Sequence, residues 1–320
     1  MEAQGRRELI VVETSEAAPL VREFVLAAAD GGVLPEWSAG AHIRVALPAG
    51  GDRAYSLVDL GLRDPARWIL CVRLDEAGGG GSLHMHKLRK GDRISVTEPV
   101  NRFRLHEGDA PALLIAGGIG VTPLSAMAAQ LKREERPFRL VYAGRTRGAL
   151  ALTAPLMSLC AEMLSLHYDD EPDRLDLPAL LASVERHAHI YVCGPAGMIE
   201  ATRKTAAGAG FPEQQIHYEL FTSAPETDDA AQSGFEVEAR QSGKTVQVLP
   251  GQSIIDALEA AGIELIYDCR RGDCGICRCD VIEGEPDHRD VVLTPDERAS
   301  NKVMQICVSR SKTPRLVLDV

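Results

Sequence analysis

Cys269-Arg270-Arg271-Gly272-Asp273-Cys274-Gly275-Ile276-Cys277, with Cys279 just behind it and Cys307 further on, is the stretch that organises the rest of the chain. Cys269, Cys274 and Cys277 form C-x4-C-x2-C, and twenty-nine residues separate Cys277 from Cys307. Four thiolates at this spacing suit a plant-type [2Fe-2S] cluster, which needs soft anionic ligands on both irons and a tight loop to supply three of them. Gly272 and Gly275 let such a loop turn with backbone N–H groups aimed at the sulfurs, which favours the charge of the reduced cluster. Zinc is the main competing metal, but it usually takes paired C-x2-4-C knuckles, and only one close pair exists here. Inert buried thiols would require the four-cysteine spacing to arise by accident. The metal candidates are therefore Cys269, Cys274, Cys277 and Cys307. Cys279 alternates to the other face of a following strand and reads as a structural thiol.

Working outward, residues 235–240 and 244–249 read as strands, Pro250-Gly251 as a turn, and a helix runs from a Ser253 cap to Gly262. Residues 224–233 are polar, acidic and Ala-rich without apolar periodicity, which predicts a linker. Upstream of it, strand and helix alternate. Strands are expected over 111–116, 138–143, 167–168 and 189–193, and helices over 122–136, 154–164 and 178–185. Pro123 favours a helix start. Such alternation predicts a parallel sheet with helices on both faces. The first hundred residues read differently, as short strands over 9–13, 21–28, 42–47, 54–58, 68–74 and 93–98. Turn clusters such as Pro48-Ala49-Gly50-Gly51-Asp52 separate them, a spacing that suits a small antiparallel barrel. The expected organisation is multidomain: an antiparallel β-barrel over 1–106, an α/β parallel-sheet domain over 107–223, a linker over 224–233, and an α+β domain over 234–320.

The length of 320 residues agrees with two or three domains. A net charge of −11 argues against nucleic acid, whose phosphates demand a basic surface. No run approaches the roughly 20 apolar residues of a membrane helix. Residues 1–7 carry two arginines but no signal-peptide pattern, so the expected location is the cytoplasm. Five of the eight cysteines crowd into the last fifth of the chain, which in a reducing compartment points to metal or redox chemistry rather than disulfides.

Gly117-Gly118-Ile119-Gly120-Val121-Thr122-Pro123 follows a strand and opens a helix. Glycines permit close backbone approach there, and the helix N-terminus favours an anion. Pro123 stands where the third glycine of G-x-G-x-x-G would be, so alone this segment leaves a plain tight turn as the alternative reading. Val192-Cys193-Gly194-Pro195-Ala196-Gly197-Met198 ends a later strand, and the two segments in that order resemble the pyridine-nucleotide domain of the ferredoxin reductase superfamily. Arg53-Ala54-Tyr55-Ser56 resembles that superfamily's flavin motif R-x-Y-S, and Gly79-Gly80-Gly81-Ser82 suits a flavin phosphate. His84 and His86, which follow, read as surface or helix-start residues. Glu219-Leu220-Phe221 resembles the segment whose aromatic ring packs on the flavin.

With Gly284-Glu285-Pro286-Asp287-His288-Arg289-Asp290 and the ending Cys307-Val308-Ser309-Arg310-Ser311-Lys312, nearly the whole chain resembles the phthalate dioxygenase reductase family. That resemblance implies a flavin barrel, a nucleotide domain and a β-grasp-like ferredoxin domain, with FMN, NADH and a [2Fe-2S] cluster as cofactors. It implies that Arg53, Ala54, Tyr55, Ser56, Gly80, Gly81, Ser82 and Phe221 bind the flavin. Gly117, Gly118, Gly120, Thr122, Cys193, Gly194 and Pro195 would bind the nicotinamide dinucleotide, and Ser56, Cys193 and Glu219 would tune hydride transfer. The implied activity is an NADH-dependent iron–sulfur flavoprotein reductase, acting as a monomer and serving a terminal oxygenase, namely a Rieske-type oxygenase or demethylase. A cytochrome P450 is an alternative acceptor, and a cluster-based redox sensor an alternative role. Two departures stand out. Ala54 replaces a threonine hydroxyl that relatives can offer near the phosphate. Thr146 follows Arg145 where the family has an acidic residue, so NADH over NADPH rests on the resemblance, and the Arg145/Arg147 pair could hold a 2′-phosphate.

Overall fold

Apolar residues at every second position give the N-terminal strands one buried face, and closing that sheet on itself makes a core. The computed structural model describes residues 6–48, 50–61, 64–76, 80–221, 234–267, 272 and 275–320. The chain divides into two compact units between Glu219 and Leu220. The first unit opens with β1 (Arg6–Ala18), β2 (Val21–Ala28), β3 (Ala41–Ala46), β4 (Asp52–Ser56), β5 (Trp68–Arg73), helix α1 (Gly81–Lys87), β6 (Arg93–Thr97) and β7 (Val100–Asn101). These strands are antiparallel in the order β4-β3-β6-β1-β2-β5, with β7 beside β3. A bridge between Val58 and Ile69 links the segment after β4 to β5 and closes the barrel. Leu9, Val11, Phe24, Leu26, Ile43, Val45, Leu70 and Val96 fill the interior, joined by Met85 of α1.

The same unit continues through β8 (Ala112–Gly117), α2 (Val121–Arg133), β9 (Phe138–Gly144), α3 (Thr153–Cys160), β10 (Leu164–Tyr168), α4 (Leu177–Ala182), β11 (His189–Cys193), α5 (Ala196–Gly208) and β12 (Ile216–Glu219). The sheet is parallel throughout, in the order β10-β9-β8-β11-β12. β8 is its central strand and every residue of it is buried, which is why it reads as an unbroken apolar run rather than an alternating one. Helix α2 ends three residues before the expected Arg136. Glu135 turns to a φ of +55°, and the Arg136 amide bonds back to the Leu131 carbonyl at 2.9 Å, a left-handed helix stop. The barrel and the parallel sheet share one apolar core, in which Val21, Val58 and Phe103 meet Leu124, Met127 and Leu156. An ion pair of 2.8 Å from Arg133 to the buried Asp59 reinforces that seam.

The second unit holds β13 (Phe235–Ala239), β14 (Lys244–Val248), α6 (Ile254–Ala260), β15 (Arg278–Glu283), β16 (Pro286–Asp287), α7 (Pro295–Ser300), β17 (Val303–Gln305), β18 (Arg310–Ser311) and β19 (Arg315–Leu318). Its sheet runs β14-β13-β19-β15-β17, with β16 and β18 forming a separate ribbon. β13 and β14 are an antiparallel hairpin while β19 lies parallel to β13, the mixed arrangement of a β-grasp fold. Ser253 with Asp256, and Thr294 with Glu297, form reciprocal capping boxes on α6 and α7. Phe235, Val237, Ile254, Leu258, Met304 and Leu316 build the core. The linker expected over 224–233 lies outside the described residues. No helix among the described residues is long and apolar enough to cross a membrane.

Candidate functional site

In a doubly wound sheet the binding crevice opens beyond the carboxyl ends of the strands, where the strand order reverses. Here that point lies between β8 and β11, and both glycine segments arrive at it. β8 ends at Gly117, a 3-10 turn spans Gly118–Gly120, and α2 begins at Val121. A Cβ on Gly117 would stand 2.7 Å from Pro195 Cδ, and one on Gly194 would stand 2.9 Å from Gly117 Cα. A Cβ on Gly120 would stand 2.2 Å from the Cys193 carbonyl oxygen. The two turns therefore meet closely, backbone against backbone at Gly120 and Gly194 and with Pro195 and Met198 packed on Gly117, and a dinucleotide pyrophosphate fits this close approach at a helix start. Gly118 has open space around its missing Cβ and a φ of +54°, so it serves the turn's backbone conformation instead.

Thr122 is buried, and its Oγ1 donates to the Ile119 carbonyl at 3.0 Å, stabilising the turn from inside. Cys193 is fully buried as the last residue of β11 and lies in register with Glu219 at the end of β12. Burial, and then the Glu219 carboxylate, push its thiol well above the ordinary range, so it stays neutral.

The R-x-Y-S segment lies on β4, paired with β3 so that Ser56 faces His42 and Tyr55 faces Ile43. Gly81, the first residue of α1, docks on this strand: a Cβ there would meet Arg53 Cγ at 2.5 Å and Tyr55 Oη at 3.0 Å. Gly80 caps the helix with a left-handed φ of +80°. Ser82 Oγ accepts from the Asp75 amide at 2.9 Å, which ties the two ends of the glycine loop together. Two segments far apart in sequence thus come together as the R-x-Y-S strand and the glycine turn. Burial raises the Tyr55 phenol to about 12, so it stays a neutral aromatic surface. An aromatic ring beside an arginine and a helix start fits a flavin with its phosphate. Ser56 is buried and Ala54 half-buried in the same strand. Phe221 follows β12 and is 44 % exposed. His86, on α1, donates from Nε2 to the Val72 carbonyl of β5, 2.9 Å away.

In the second unit, Cys277 and Cys307 are both buried, and the Ile306 amide donates to the Cys277 carbonyl at 3.3 Å, placing the two segments side by side. Gly272 adopts a φ of +74°, and a Cβ there would meet Val308 Cγ2 at 2.5 Å. Gly275 has a φ of +76°. Cys269 and Cys274 lie outside the described residues. Two buried sulfurs beside two left-handed glycines fit the ligand loop of a [2Fe-2S] cluster. Cys279 packs in the domain core, and burial raises its thiol to about 12, as suits a structural residue.

Three further features join residues that no local pattern links. Gln305, 1 % exposed, brings its Oε1 to 3.4 Å from Cys277 Sγ. His106 and His189 stack with ring centroids 3.8 Å apart, and His189 Nδ1 lies 2.9 Å from His217 Nε2 at the amino ends of β11 and β12. Arg147 is gripped by Glu171. Nothing in a single sequence pairs such distant residues, although the Cys307 motif could have drawn attention to its near neighbour Gln305.

Residues 237–312 match the 2Fe-2S iron-sulfur cluster binding domain, and residues 114–204 match the oxidoreductase NAD-binding domain. Among curated proteins, the chain is 40 % identical over 320 residues to the tetrachlorobenzoquinone reductase of Sphingobium chlorophenolicum, covering 98 % of each. It is 41 % identical over 305 residues to the vanillate O-demethylase oxidoreductase of Pseudomonas sp. strain HR199, covering 93 % of this chain and 94 % of that one. Among solved structures it resembles phthalate dioxygenase reductase, described as a modular structure for electron transfer from pyridine nucleotides to [2Fe-2S]. That match has a TM-score of 0.71 and 32 % identity, over 99 % of this chain and 98 % of the other.

Proposed function

Since the chain belongs to the phthalate dioxygenase reductase family, we propose that it is the reductase component of an oxygenase system. It takes hydride from NADH and passes electrons through FMN and its own [2Fe-2S] cluster to a partner terminal oxygenase. The observation that carries this reading is the meeting of the Gly117–Gly120 and Gly194 turns at the switch point, beside Cys193 and Glu219, in a chain that ends in the cysteine loop. FMN, when bound, supplies the conversion between a two-electron donor and a one-electron cluster. The chain's own residues supply position. Gly117, Gly118, Gly120, Gly194 and Pro195, with Thr122 behind them, hold the pyrophosphate end of the dinucleotide. Cys193 and Glu219 bound the nicotinamide end. Arg53, Ala54, Tyr55, Ser56, Gly80, Gly81, Ser82 and Phe221 would hold the flavin, and Ser56 would tune hydride transfer to it. Cys269, Cys274, Cys277 and Cys307 ligate the cluster.

The same proposal assigns residues 1–106 to FMN, 107–223 to NADH and 234–320 to the cluster, with 224–233 as the linker. The partner is a Rieske-type oxygenase or demethylase, supported by the likeness, over 93 % of this chain, to a vanillate O-demethylase oxidoreductase. One polypeptide carries every module of the electron path, which supports a working monomer, and a thiolate cluster suits the reducing cytoplasm. The likeness to a tetrachlorobenzoquinone reductase favours a quinone as a second acceptor to try.

The test is composition followed by turnover. Purified protein is expected to carry about one FMN and about two irons per chain, and NADH should drive reduction of the partner oxygenase. Release of FAD on acid extraction, or zinc in place of iron, would refute the cofactor assignment.

A further inference from the structure

We propose that Glu171, by occupying the guanidinium fork of Arg147, makes the nucleotide site discriminate against a 2′-phosphate. This rests on the reading that a nicotinamide dinucleotide is the electron donor.

The carboxyl edge of the parallel sheet sets the distances. Gly117 of β8 is in register with Ala143 of β9, and Gly144 of β9 is in register with Tyr168 of β10. Neighbouring strands lie about 4.8 Å apart, so the segments following β9 and β10 begin roughly 5–10 Å from the pyrophosphate turn. That is the reach of the ribose next to the pyrophosphate, and residues after the second strand of such a sheet read its 2′ position. Two backbone bonds bind these segments to each other. The Asp169 amide donates to the Gly144 carbonyl at 2.9 Å, and the Asp170 amide to the Arg145 carbonyl at 3.3 Å.

Arg147 sits in the segment after β9, with Arg145, and both are exposed. A free arginine there would offer a planar two-donor fork to phosphate. This one is taken. Arg147 Nε donates to Glu171 Oε1 at 2.6 Å and Nη2 to Oε2 at 2.8 Å, a bidentate pair. Its guanidinium also lies 4.5 Å from the centroid of the Tyr168 ring, which fixes its plane. A 2′-phosphate would have to displace a carboxylate from this fork and then remain beside it, with Asp169 and Asp170 adding like charge. A ribose 2′-hydroxyl meets no such penalty. The acidic residue that the resemblance predicts at Thr146 is thereby substituted by a carboxylate reaching in from the turn after β10.

The experiment compares wild-type holoenzyme with Glu171→Gln, and with the double variant Glu171→Gln/Arg147→Gln. It measures steady-state specificity constants for NADH and NADPH, and calorimetric binding of 2′,5′-ADP. Freeing the fork in Glu171→Gln should raise the NADPH-to-NADH ratio and tighten 2′,5′-ADP, each by about ten-fold. The double variant should lose both gains. An unchanged ratio and unchanged 2′,5′-ADP affinity in Glu171→Gln would overturn the proposal, as would a double variant that keeps the gains. An enzyme that oxidises neither nucleotide would instead refute the donor reading, while 2′,5′-ADP binding would still report on Glu171.

Discussion

Two glycines two residues apart do different jobs, and the difference can be measured. A methyl on Gly120 runs into the Cys193 carbonyl, rigid backbone at the end of β11, so Gly120→Ala must push the two turns apart. Overpacking of this kind typically costs about 1–3 kcal/mol. Hydride transfer should fall with it by at least about ten-fold, because a small misplacement at a binding turn weighs heavily on rate. Gly118→Ala meets no atom and pays only for a left-handed backbone, about 1 kcal/mol. Stopped-flow reduction of the flavin by NADH, with a thermal melt of each variant, separates the two; equal effects would contradict the geometry. The cysteines divide in the same way. Cys277→Ser should remove the cluster's visible spectrum while flavin reduction by NADH survives. Cys279→Ser should keep the spectrum and lose only stability, since Cys279 is a core thiol. Loss of the spectrum in Cys279→Ser would mean that the ligand set is misassigned.

At the scale of elements, the amino ends of β11 and β12 hold a titratable stack. Burial, and then His189, lower His106 to about 4; burial, and then His189 and His106, lower His217 to about 4. Arg136 faces His106 Nε2 at 2.9 Å, and the Tyr191 hydroxyl lies 3.1 Å from Nδ1. Both folded values lie below the ordinary 6.5, so in between the unfolded chain binds protons that the fold refuses. The stability contributed by neutral rings is therefore complete above about pH 6.5 and drains as the pH falls toward about 4. The melting temperature should drop between about pH 7 and about pH 5, and His217→Gln should flatten that slope. A wild-type melting temperature equal at both pH values would count against the stack. Element boundaries were legible where periodicity was strong and less so where tertiary pairing decided. The expected helix over 154–164 ends as α3 at Cys160, because Leu164 enters register with Leu140 of β9 and a strand begins there. Helix α5, whose buried face is only Ile199, Thr202 and Ala206, carries too sparse an apolar stripe to be read ahead of its packing.

For the whole molecule, the division between Glu219 and Leu220 predicts separable units. A fragment covering residues 1–221 should bind FMN and be reduced by NADH, yet fail to deliver electrons to the oxygenase. A fragment that does not fold, or that still supports the oxygenase, would contradict this modularity. Residues 234–320 contain 15 acidic and 11 basic side chains, 11 − 15 = −4, and the cluster with its thiolates adds negative charge. That field favours a partner with a basic docking patch, and steering of this kind is screened over about 8–10 Å at physiological salt. Raising the salt should slow transfer to the oxygenase and spare NADH-to-flavin reduction; salt-independent transfer would remove electrostatics from docking. By itself the sequence determined the cysteine spacing, the order of the three modules and their strand and helix alternation. These are local properties: ligand spacing, hydrophobic period and turn chemistry are all written in contiguous residues. Only the tertiary structure decided that Gly117 meets Gly194, that Gly81 seats on Arg53, and that Glu171 closes on Arg147. Each of these joins residues that are distant in the chain, and their proximity is set by strand order and close packing, which no local pattern encodes.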